Sequence, residues 1–541
     1  MTPPRRCALA LTLALALAFA VAGCAPLRAF LVPPDPHRPA KNVRKLALVD
    51  ALVVAGAIHG RPGARAIAVR QGQILAVGLP ADVTPLRGPE TLVVKAPTAY
   101  VTPGLVDAHV HLEGAALLRD AADLRSVASP ADLRAAVDRA RPLAGDWLWG
   151  FGLSDVAWGE LSQDDIDTAC GETPCYLSRR DGHGGRLSSG LALRTSPLQQ
   201  ARISEARGRL AGELAREVWR SLPSPRLDRM RPLVQQVLDE MAATGIVEVH
   251  TMGESAALVH ALRALEREGR LPVRVVVYLD AERPEAALLL EGRGLVRDTP
   301  RVRVAGVKLW LDGTLGGHSA ALQLPYSDTP TSGELRYTDG VLRERIAEAD
   351  RAGLQVALHA IGDRAVAQVA RTLRNMVRSP TAPPVRIEHA QVVPPELREQ
   401  LWGLAVECSV QPRHAGADAP FARARLGDDR LAWAYPALAL APVCSVRAGS
   451  DYPVAASDAL ADWRVMAATN PVELGGEATQ GTVADLALAA LTPGGTARGR
   501  PTVLEGRVAD FVVWDRNPFA AAGARPTHVC VGGQVQAIVR P

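Results

Sequence analysis

Two histidines two residues apart, His109 and His111, stand at the end of a mostly apolar run that extends from Gly104 to Val110. The run predicts a buried strand from Gly104 to Val110, entered through a Pro-Gly turn. Alternate side chains of a strand point the same way, so we expect both imidazoles on one side. Neutral imidazole is a leading ligand for zinc and similar metals. Alone, the pair is weak evidence, because surface strands carry such pairs by chance.

Other side chains that could bind metal stand at the ends of later apolar runs: Lys308, His359, His389 and Asp451. A lone core histidine is usually hydrogen-bonded to backbone, and an aspartate at a strand end often caps the next helix. Six groups in the order His-x-His, Lys, His, His, Asp are much harder to attribute to chance. An ammonium cannot bind a metal, but a desolvated lysine loses its proton more readily. The alternative for Lys308 is a side chain that snorkels to solvent.

The elements that must position these groups alternate between strand and helix. Helices are predicted at Val341–Ala352 and Arg364–Val377. The predicted strands are Gly245–His250, Val273–Leu279, Val302–Leu311, Leu354–His359, Val385–His389, Leu404–Val410 and Val443–Gly449. Such alternation favours a parallel sheet, and eight units make a (β/α)8 TIM barrel with its chemistry at the C-terminal strand ends. We place the barrel at residues 103–495, with an insertion at about 113–240 that helps to roof the site.

Both chain ends have a different texture, with short apolar stretches broken by turn residues. We interpret residues 46–102 and 496–541 as two halves of one β-sandwich domain beside the barrel. Its predicted strands are Leu46–Val54, Ala66–Arg70, Ile74–Val77, Thr91–Val94, Val508–Trp514, His528–Val531 and Gln534–Val539.

Residues 1–23 have the pattern of an export signal. Arg5 and Arg6 precede an apolar run that ends in Val21-Ala22-Gly23-Cys24. This ending is similar to the bacterial lipobox, in which the cysteine becomes the lipidated first residue. Residues 24–45, rich in proline, would then tether the domain to the membrane. The alternative is an ordinary signal peptide with a chance cysteine.

The composition fits a soluble globular enzyme, with 541 residues, 48% apolar and 22% charged. The formal charge is +4, and removal of Arg5 and Arg6 would lower it to +2, which gives no case for nucleic-acid binding. Five cysteines remain besides Cys24, so any disulfide scheme leaves one thiol free. An oxidising compartment would permit a bridge between Cys170 and Cys175.

Longer phrases around these residues resemble the amidohydrolase superfamily, specifically its binuclear type with a carboxylated lysine and its family 3 branch, which includes N-substituted formamide deformylases. The phrases span nearly all of the chain after residue 24. They are 102–111 (TPGLVDAHVH), 181–183 (DGH), 306–316 (GVKLWLDGTLG), 358–364 (LHAIGDR), 386–389 (RIEH), 448–453 (AGSDYP) and 508–513 (VADFVV).

This resemblance implies a site with two divalent metals, zinc by default, although iron and manganese also fit. His109 and His111 would bind the more buried metal, and His359 and His389 the second. Lys308, as a carbamate formed with CO2, would bridge them. Asp451 would complete the first metal's ligands and act as general base and then general acid toward a metal-bridging hydroxide.

Weaker expectations concern groups around that centre. His183, Trp310 and His318 are candidates for substrate contact, although a turn-stabilising His183 and simple packing of the other two are alternatives. Asp312 is expected to support the strand end at Lys308. The chain departs from the family's phrases at residues 250–251 (HT) and 184–186 (GGR), which puts the substrate in doubt but not the metals.

The sequence therefore predicts an exported, lipid-anchored hydrolase of a non-peptide C–N bond, most simply an amide of a small molecule. Alternatives are a deaminase or a D-aminoacylase-like enzyme on the same fold, since fold and metals do not choose the substrate. A non-catalytic lipoprotein with a decayed site is the third. Whether the chain forms a homodimer is left open.

Overall fold

The computed structural model describes residues 48–538, except residues 141, 143–146, 180–183, 224, 294–297, 471–473, 475–478 and 499–500. The predicted signal peptide and tether, Cys24 and His183 lie outside the described residues. None of the helices in the described part has the length and apolarity that a membrane crossing requires.

Twenty strands are numbered in chain order. They are β1 Val49–Ile58, β2 Ala66–Arg70, β3 Gln73–Gly78, β4 Arg87–Pro103, β5 Leu105–Val110, β6 Ala122–Asp123, β7 Leu148–Leu153, β8 Cys175–Arg179, β9 Gly184–Leu187, β10 Arg209–Ala211, β11 Ile246–Glu254, β12 Arg274–Asp280, β13 Val302–Trp310, β14 Gln355–Ala360, β15 Val385–His389, β16 Val406–Val410, β17 Ser445–Ala448, β18 Phe511–Trp514, β19 Pro526–Val531 and β20 Gln534–Ala537.

The α-helices are numbered in the same way. They are α1 Pro80–Val83, α2 Leu112–Leu117, α3 Pro130–Arg139, α4 Asp155–Glu160, α5 Gln163–Cys170, α6 Ser189–Ala192, α7 Pro197–Glu205, α8 Gly212–Ser221, α9 Leu227–Ala242, α10 Ala256–Arg267, α11 Pro284–Leu290, α12 Asp339–Arg351, α13 Asp363–Arg374, α14 Pro395–Leu401, α15 His414–Leu431, α16 Ala459–Ala467 and α17 Gln480–Ala490. Short 3-10 turns are Thr84–Leu86, Ala437–Leu440 and Gly495–Arg498.

Eight parallel strands form the central barrel, in the order β5, β11, β12, β13, β14, β15, β16, β17. Strands such as β5 and β15 are buried along their whole length, as parallel strands covered by helices must be. The ring closes where Val110 bridges to Tyr452 and the N–H of His111 donates to the Tyr452 carbonyl at 2.7 Å. The predicted (β/α)8 TIM barrel is confirmed.

Strands from both chain ends join in one seven-stranded sheet, ordered β20, β19, β18, β4, β1, β2, β3. The two halves meet where β4 runs antiparallel to β18, with Val101 opposite Val513. This confirms the composite domain built from both ends. At the junction with the barrel, the Arg274 guanidinium donates to Asp510 Oδ1 at 2.8 Å.

Residues between β5 and β11 carry a third sheet that we did not predict strand by strand, ordered β10, β9, β8, β7, β6. Helix α8 packs against it through Trp219, whose ring centroid lies 5.0 Å from that of Trp149. Cys170 and Cys175 form a disulfide here. A second disulfide joins Cys408 and Cys444, so among the described cysteines Cys530 holds the free thiol, and it is buried.

Candidate metal centre

His109 and His111 meet at the C-terminal end of β5. The strand ends at Val110, one residue earlier than alternation up to His111 required, and His111 is the N-cap of α2. The two imidazoles converge all the same. His109 Nε2 lies 3.5 Å and His111 Nε2 3.1 Å from Asp451 Oδ1.

The turn that carries Asp451 is bound tightly to β5. The N–H of Asp451 donates to the His109 carbonyl at 2.7 Å, and Asp451 has a left-handed φ of 60°. Asp107 accepts from the N–H of Ser450 at 2.8 Å and from its hydroxyl at 2.6 Å. A Cβ on Gly449 would lie 2.2 Å from the backbone nitrogen of His109, so only glycine permits this close approach of the two segments.

His389 and His359 extend the cluster from neighbouring strands. His389 ends β15, and its ring centroid lies 4.9 Å from that of His109 and 4.5 Å from that of His359. His389 Nδ1 is 2.7 Å from Gln411 Oε1, whereas His359 Nε2 is 3.1 Å from the Gly313 carbonyl. Donation at these nitrogens leaves Nε2 of His389 and Nδ1 of His359 as lone-pair donors to a metal.

Lys308 lies on β13, directly before the end of that strand, and is only 1% exposed. Its Nζ has no hydrogen-bond partner among the residues that the structure describes. Burial lowers the pKa of Lys308 to about 8, although the charges of Glu388 and Asp451 act in the opposite direction. A substantial fraction of this amine is therefore neutral in mildly alkaline solution, which a snorkelling lysine would not be.

Burial also favours the neutral form of His109, His359 and His389. It lowers the pKa of His109 to about 4, with a smaller effect from the charge of Lys308, and puts the pKa of His359 and His389 well below the usual range. At His111 burial acts in the same direction, but the hydrogen bond and charge of Asp451 outweigh it and raise the pKa. Burial alone would raise the pKa of Asp451, but the neighbouring His109 and His111 hold it well below its ordinary value. Neutral imidazoles and an ionised carboxylate are the forms that bind metal.

A buried layer behind the histidines fixes their orientation. His109 Nδ1 lies 2.6 Å from Glu388 Oε2, and Glu388 Oε1 in turn lies 2.6 Å from Arg386 Nε. His111 Nδ1 lies 2.8 Å from the Met252 carbonyl. With Nδ1 engaged in both rings, Nε2 of each faces Asp451, which is the arrangement of histidine ligands in metal sites.

One residue of the centre, His414, was not found from the sequence. Two sets of residues have possible ligand atoms within 4.8 Å of one another. One set is His109, His111 and Asp451, and the other is His389, His414 and Asp451. His359 belongs to neither set. The signal for His414 was its position four residues after Val410, at the end of the barrel strand to which we had assigned no ligand.

Buried atoms without partners test whether these residues fit a metal. Within the described part of the chain, three buried atoms lack a hydrogen-bond partner: His109 Nε2, His414 Nε2 and Lys308 Nζ. An unsatisfied buried polar group is costly, so several at one point indicate a missing partner. Imidazole nitrogens with a carboxylate suit zinc, iron and manganese. The residues fit a divalent cation.

The weaker predictions fare differently. Trp310 flanks the centre, with its ring centroid 5.8 Å from Lys308 Nζ. His318 Nε2 lies 3.1 Å from Asp328 Oδ1 in the loop after β13, and its contact with substrate stays a prediction. Asp312 accepts from the N–H groups of residues 321, 361 and 362 and lies 3.6 Å from His359. It therefore joins the segment after β13 to the segment after β14, and its support of the strand end at Lys308 stays a prediction.

Comparisons with known proteins agree with this geometry. Residues 93–537 match the profile of the amidohydrolase family. The chain is 28% identical over 452 residues to the protein LONG AFTER FAR-RED 3 of Arabidopsis thaliana, covering 75% of this chain and 76% of that one.

Two solved structures share the fold. An uncharacterized metal-dependent hydrolase from Pyrococcus horikoshii OT3 has a TM-score of 0.72 at 24% identity, covering 87% of this chain and 98% of its own. Another from Pyrococcus furiosus has a TM-score of 0.69 at 25% identity, covering 87% and 99%. Because the family profile spans most of the sequence, this chain belongs to the amidohydrolase family.

Proposed function

We propose that this metal-dependent hydrolase uses a pair of divalent cations to hydrolyse the amide C–N bond of a small non-peptide molecule. The observation that carries the proposal is the cluster of His109, His111 and His389 around Asp451. His359 lies beside His389, and the buried Lys308 lies on β13, the strand next to that of His359. Cations bound there would supply a Lewis acid for the carbonyl oxygen and lower the pKa of an attacking water.

Lys308 is proposed to become the bridging ligand by reaction with CO2. Its neutral amine forms a bond to the CO2 carbon and releases one proton, which leaves a carbamate with two oxygens and a negative charge. Burial favours this step twice, because it makes the amine neutral and keeps water away from the product. Trp310 covers the lysine on one side.

Asp451 is proposed to move the proton. As an ionised carboxylate beside His111, it accepts a proton from water as the water oxygen bonds to the amide carbon. When the C–N bond breaks, Asp451 gives that proton to the departing nitrogen. The products are a carboxylic acid and an amine, and Asp451 returns to its ionised state.

A panel of substrates tests this reaction on the metal-loaded enzyme. It contains N-formyl and N-acetyl amines, N-acetyl-D-amino and N-acetyl-L-amino acids, and aminopurines and aminopyrimidines. Release of an amine from an acyl compound supports amide hydrolysis, with the D-amino acid derivatives marking a D-aminoacylase-like enzyme. Release of ammonia from the heterocycles alone would overturn the proposal in favour of a deaminase. If the protein holds two metal ions but hydrolyses none of these compounds, that result would also contradict the proposal.

We also propose that the enzyme is exported and anchored by a lipid on Cys24. The signal-like residues 1–23 support this, and two disulfides are typical of an oxidising compartment. Incorporation of labelled palmitate into the full-length chain, with Cys24→Ala as the unlabelled control, tests it. A wild-type chain that takes up no label would contradict the anchor.

A further inference from the structure

One arginine after β13, Arg336, makes no side-chain hydrogen bond or ion pair with any described residue. Arg336 lies in the loop after β13, where its N–H donates to the Leu311 carbonyl at 2.9 Å. Its side chain is half-buried, and within the described residues its guanidinium has no hydrogen bond and no ion pair. Its burial, and next the charge of Arg216, lower the pKa of Arg336 to about 10. A charge held there in the absence of an anion is costly.

The position of Arg336 relative to the ligands follows from its electrostatic neighbours. Its charge acts on Asp312, the residue that lies 3.6 Å from His359. Its charge also lowers the pKa of His359, although burial and the charges of His389 and Lys308 have larger effects. Together with the backbone hydrogen bond to Leu311, which directly follows β13, these interactions place Arg336 at the C-terminal end of the barrel on the side of His359.

Helix α8 of the inserted region covers the same side with more positive charge. Arg220 binds Asp280 at 2.7 Å, and its guanidinium carbon lies 5.9 Å from the ring centroid of Trp310. Arg216 forms an ion pair with Glu213, but its buried Nε has no hydrogen-bond partner in the described part of the chain. Asp280 and Glu213 thus already have arginine partners. Asp312 accepts hydrogen bonds from backbone N–H groups, so no acid of the described residues pairs with the Arg336 guanidinium, which is left for an anion from outside the chain.

We propose that Arg336 binds a carboxylate of the substrate, so that the molecules hydrolysed are N-acylated amino acids or similar amides bearing an acid. The proposal rests on the amide hydrolysis proposed above. A guanidinium can hold a carboxylate through two parallel N–H donors, which fixes the orientation of the scissile amide as well as adding affinity. Trp310, between Arg220 and Lys308, offers an aromatic face to the rest of the molecule.

Matched substrates test this assignment on the metal-loaded enzyme. Both enantiomers of N-acetyl-phenylalanine are compared with N-acetyl-phenethylamine, which lacks only the carboxylate. We expect wild type to prefer one enantiomer of the acid over N-acetyl-phenethylamine. In Arg336→Met the ratio of kcat/KM for that acid to kcat/KM for the amine derivative should fall about 10- to 100-fold, as expected for loss of a charged hydrogen bond. The ratio for Arg336→Lys should lie between those of wild type and Arg336→Met. Arg303→Met, at an arginine whose side chain is 65% exposed, should leave the ratio unchanged.

Two further readouts separate this proposal from the proposed reaction. Calorimetric binding of phenylalanine and of phenethylamine does not require turnover, and the preference for the acid should disappear in Arg336→Met. Thermal unfolding of Arg336→Met should occur at the same or a higher temperature, because an unpaired, half-buried charge has been removed. An unchanged ratio with unchanged binding, or a lower unfolding temperature without either change, would overturn the assignment even if amides are hydrolysed.

Discussion

His109 Nδ1 lies 2.6 Å from Glu388 Oε2, and both side chains are fully buried. This contact ties a candidate metal ligand on β5 to a carboxylate on β15, on the far side of the barrel interior. Arg386 forms an ion pair with Glu388, and its Nη1 lies 3.5 Å from Glu407 Oε1. The orientation of the centre therefore depends on a charged network inside the barrel.

Glu388→Gln is expected to weaken metal binding about 10- to 100-fold, because His109 loses the negative charge that orients it and increases its basicity. Competition with a chromophoric chelator measures the affinity. Glu407→Gln is the matched control, since it also removes a partner of Arg386 but touches no candidate ligand. Equal losses of metal affinity in both variants would show that Glu388 acts only through stability.

Asp451→Asn is expected to lower kcat about 10²- to 10⁴-fold, because an amide cannot accept the proton from water. Metal content, measured on the same sample, should fall far less. Asp458→Asn is the control, since Asp458 caps α16 and asparagine can cap as well. An Asp451→Asn enzyme that retains wild-type kcat would remove Asp451 from its role in proton transfer.

Gly449→Ala is expected to destabilise the fold by about 1–3 kcal/mol, because its Cβ would overlap the His109 nitrogen and push the Asp451 turn away from β5. Chemical denaturation measures the free energy of unfolding. In Gly159→Ala the added Cβ meets nothing within 4 Å, so that variant should be neutral or stabilised. Equal stability of both variants would contradict the close contact at Gly449.

Glu254 gives a pH-dependent prediction. Burial, and next the charge of Glu113, raise the pKa of Glu254 to about 8. Between pH 4.5 and 8 the folded chain keeps this proton and the unfolded chain does not, so this group makes stability fall as pH rises. In metal-free protein, Glu254→Gln should raise the unfolding temperature more at pH 8 than at pH 5. Glu160→Gln, at an exposed position, should leave the slope unchanged, and a Glu254→Gln slope equal to that of wild type would contradict the assignment.

The barrel and the candidate ligands could be predicted because both depend on local pattern. Each of Lys308, His359 and His389 stands at the end of an apolar run that could form only a buried strand. The sheet of β6–β10 could not, because its strands are short and pair in both directions. Other relations arise only in three dimensions. His414 reaches the centre from the first turn of a helix, and Asp312 binds a loop some fifty residues further along the chain.

The most direct test of the paired cation centre is the number of metal ions per chain in wild type, Lys308→Ala and Lys95→Ala, measured by elemental analysis after loading in the presence of CO2. Lys95 is exposed on the end domain and serves as the matched lysine. We predict two ions in wild type and Lys95→Ala, and fewer than two with loss of activity in Lys308→Ala. Wild type that holds no more than one ion, or a Lys308→Ala chain that still holds two and remains active, would contradict the account.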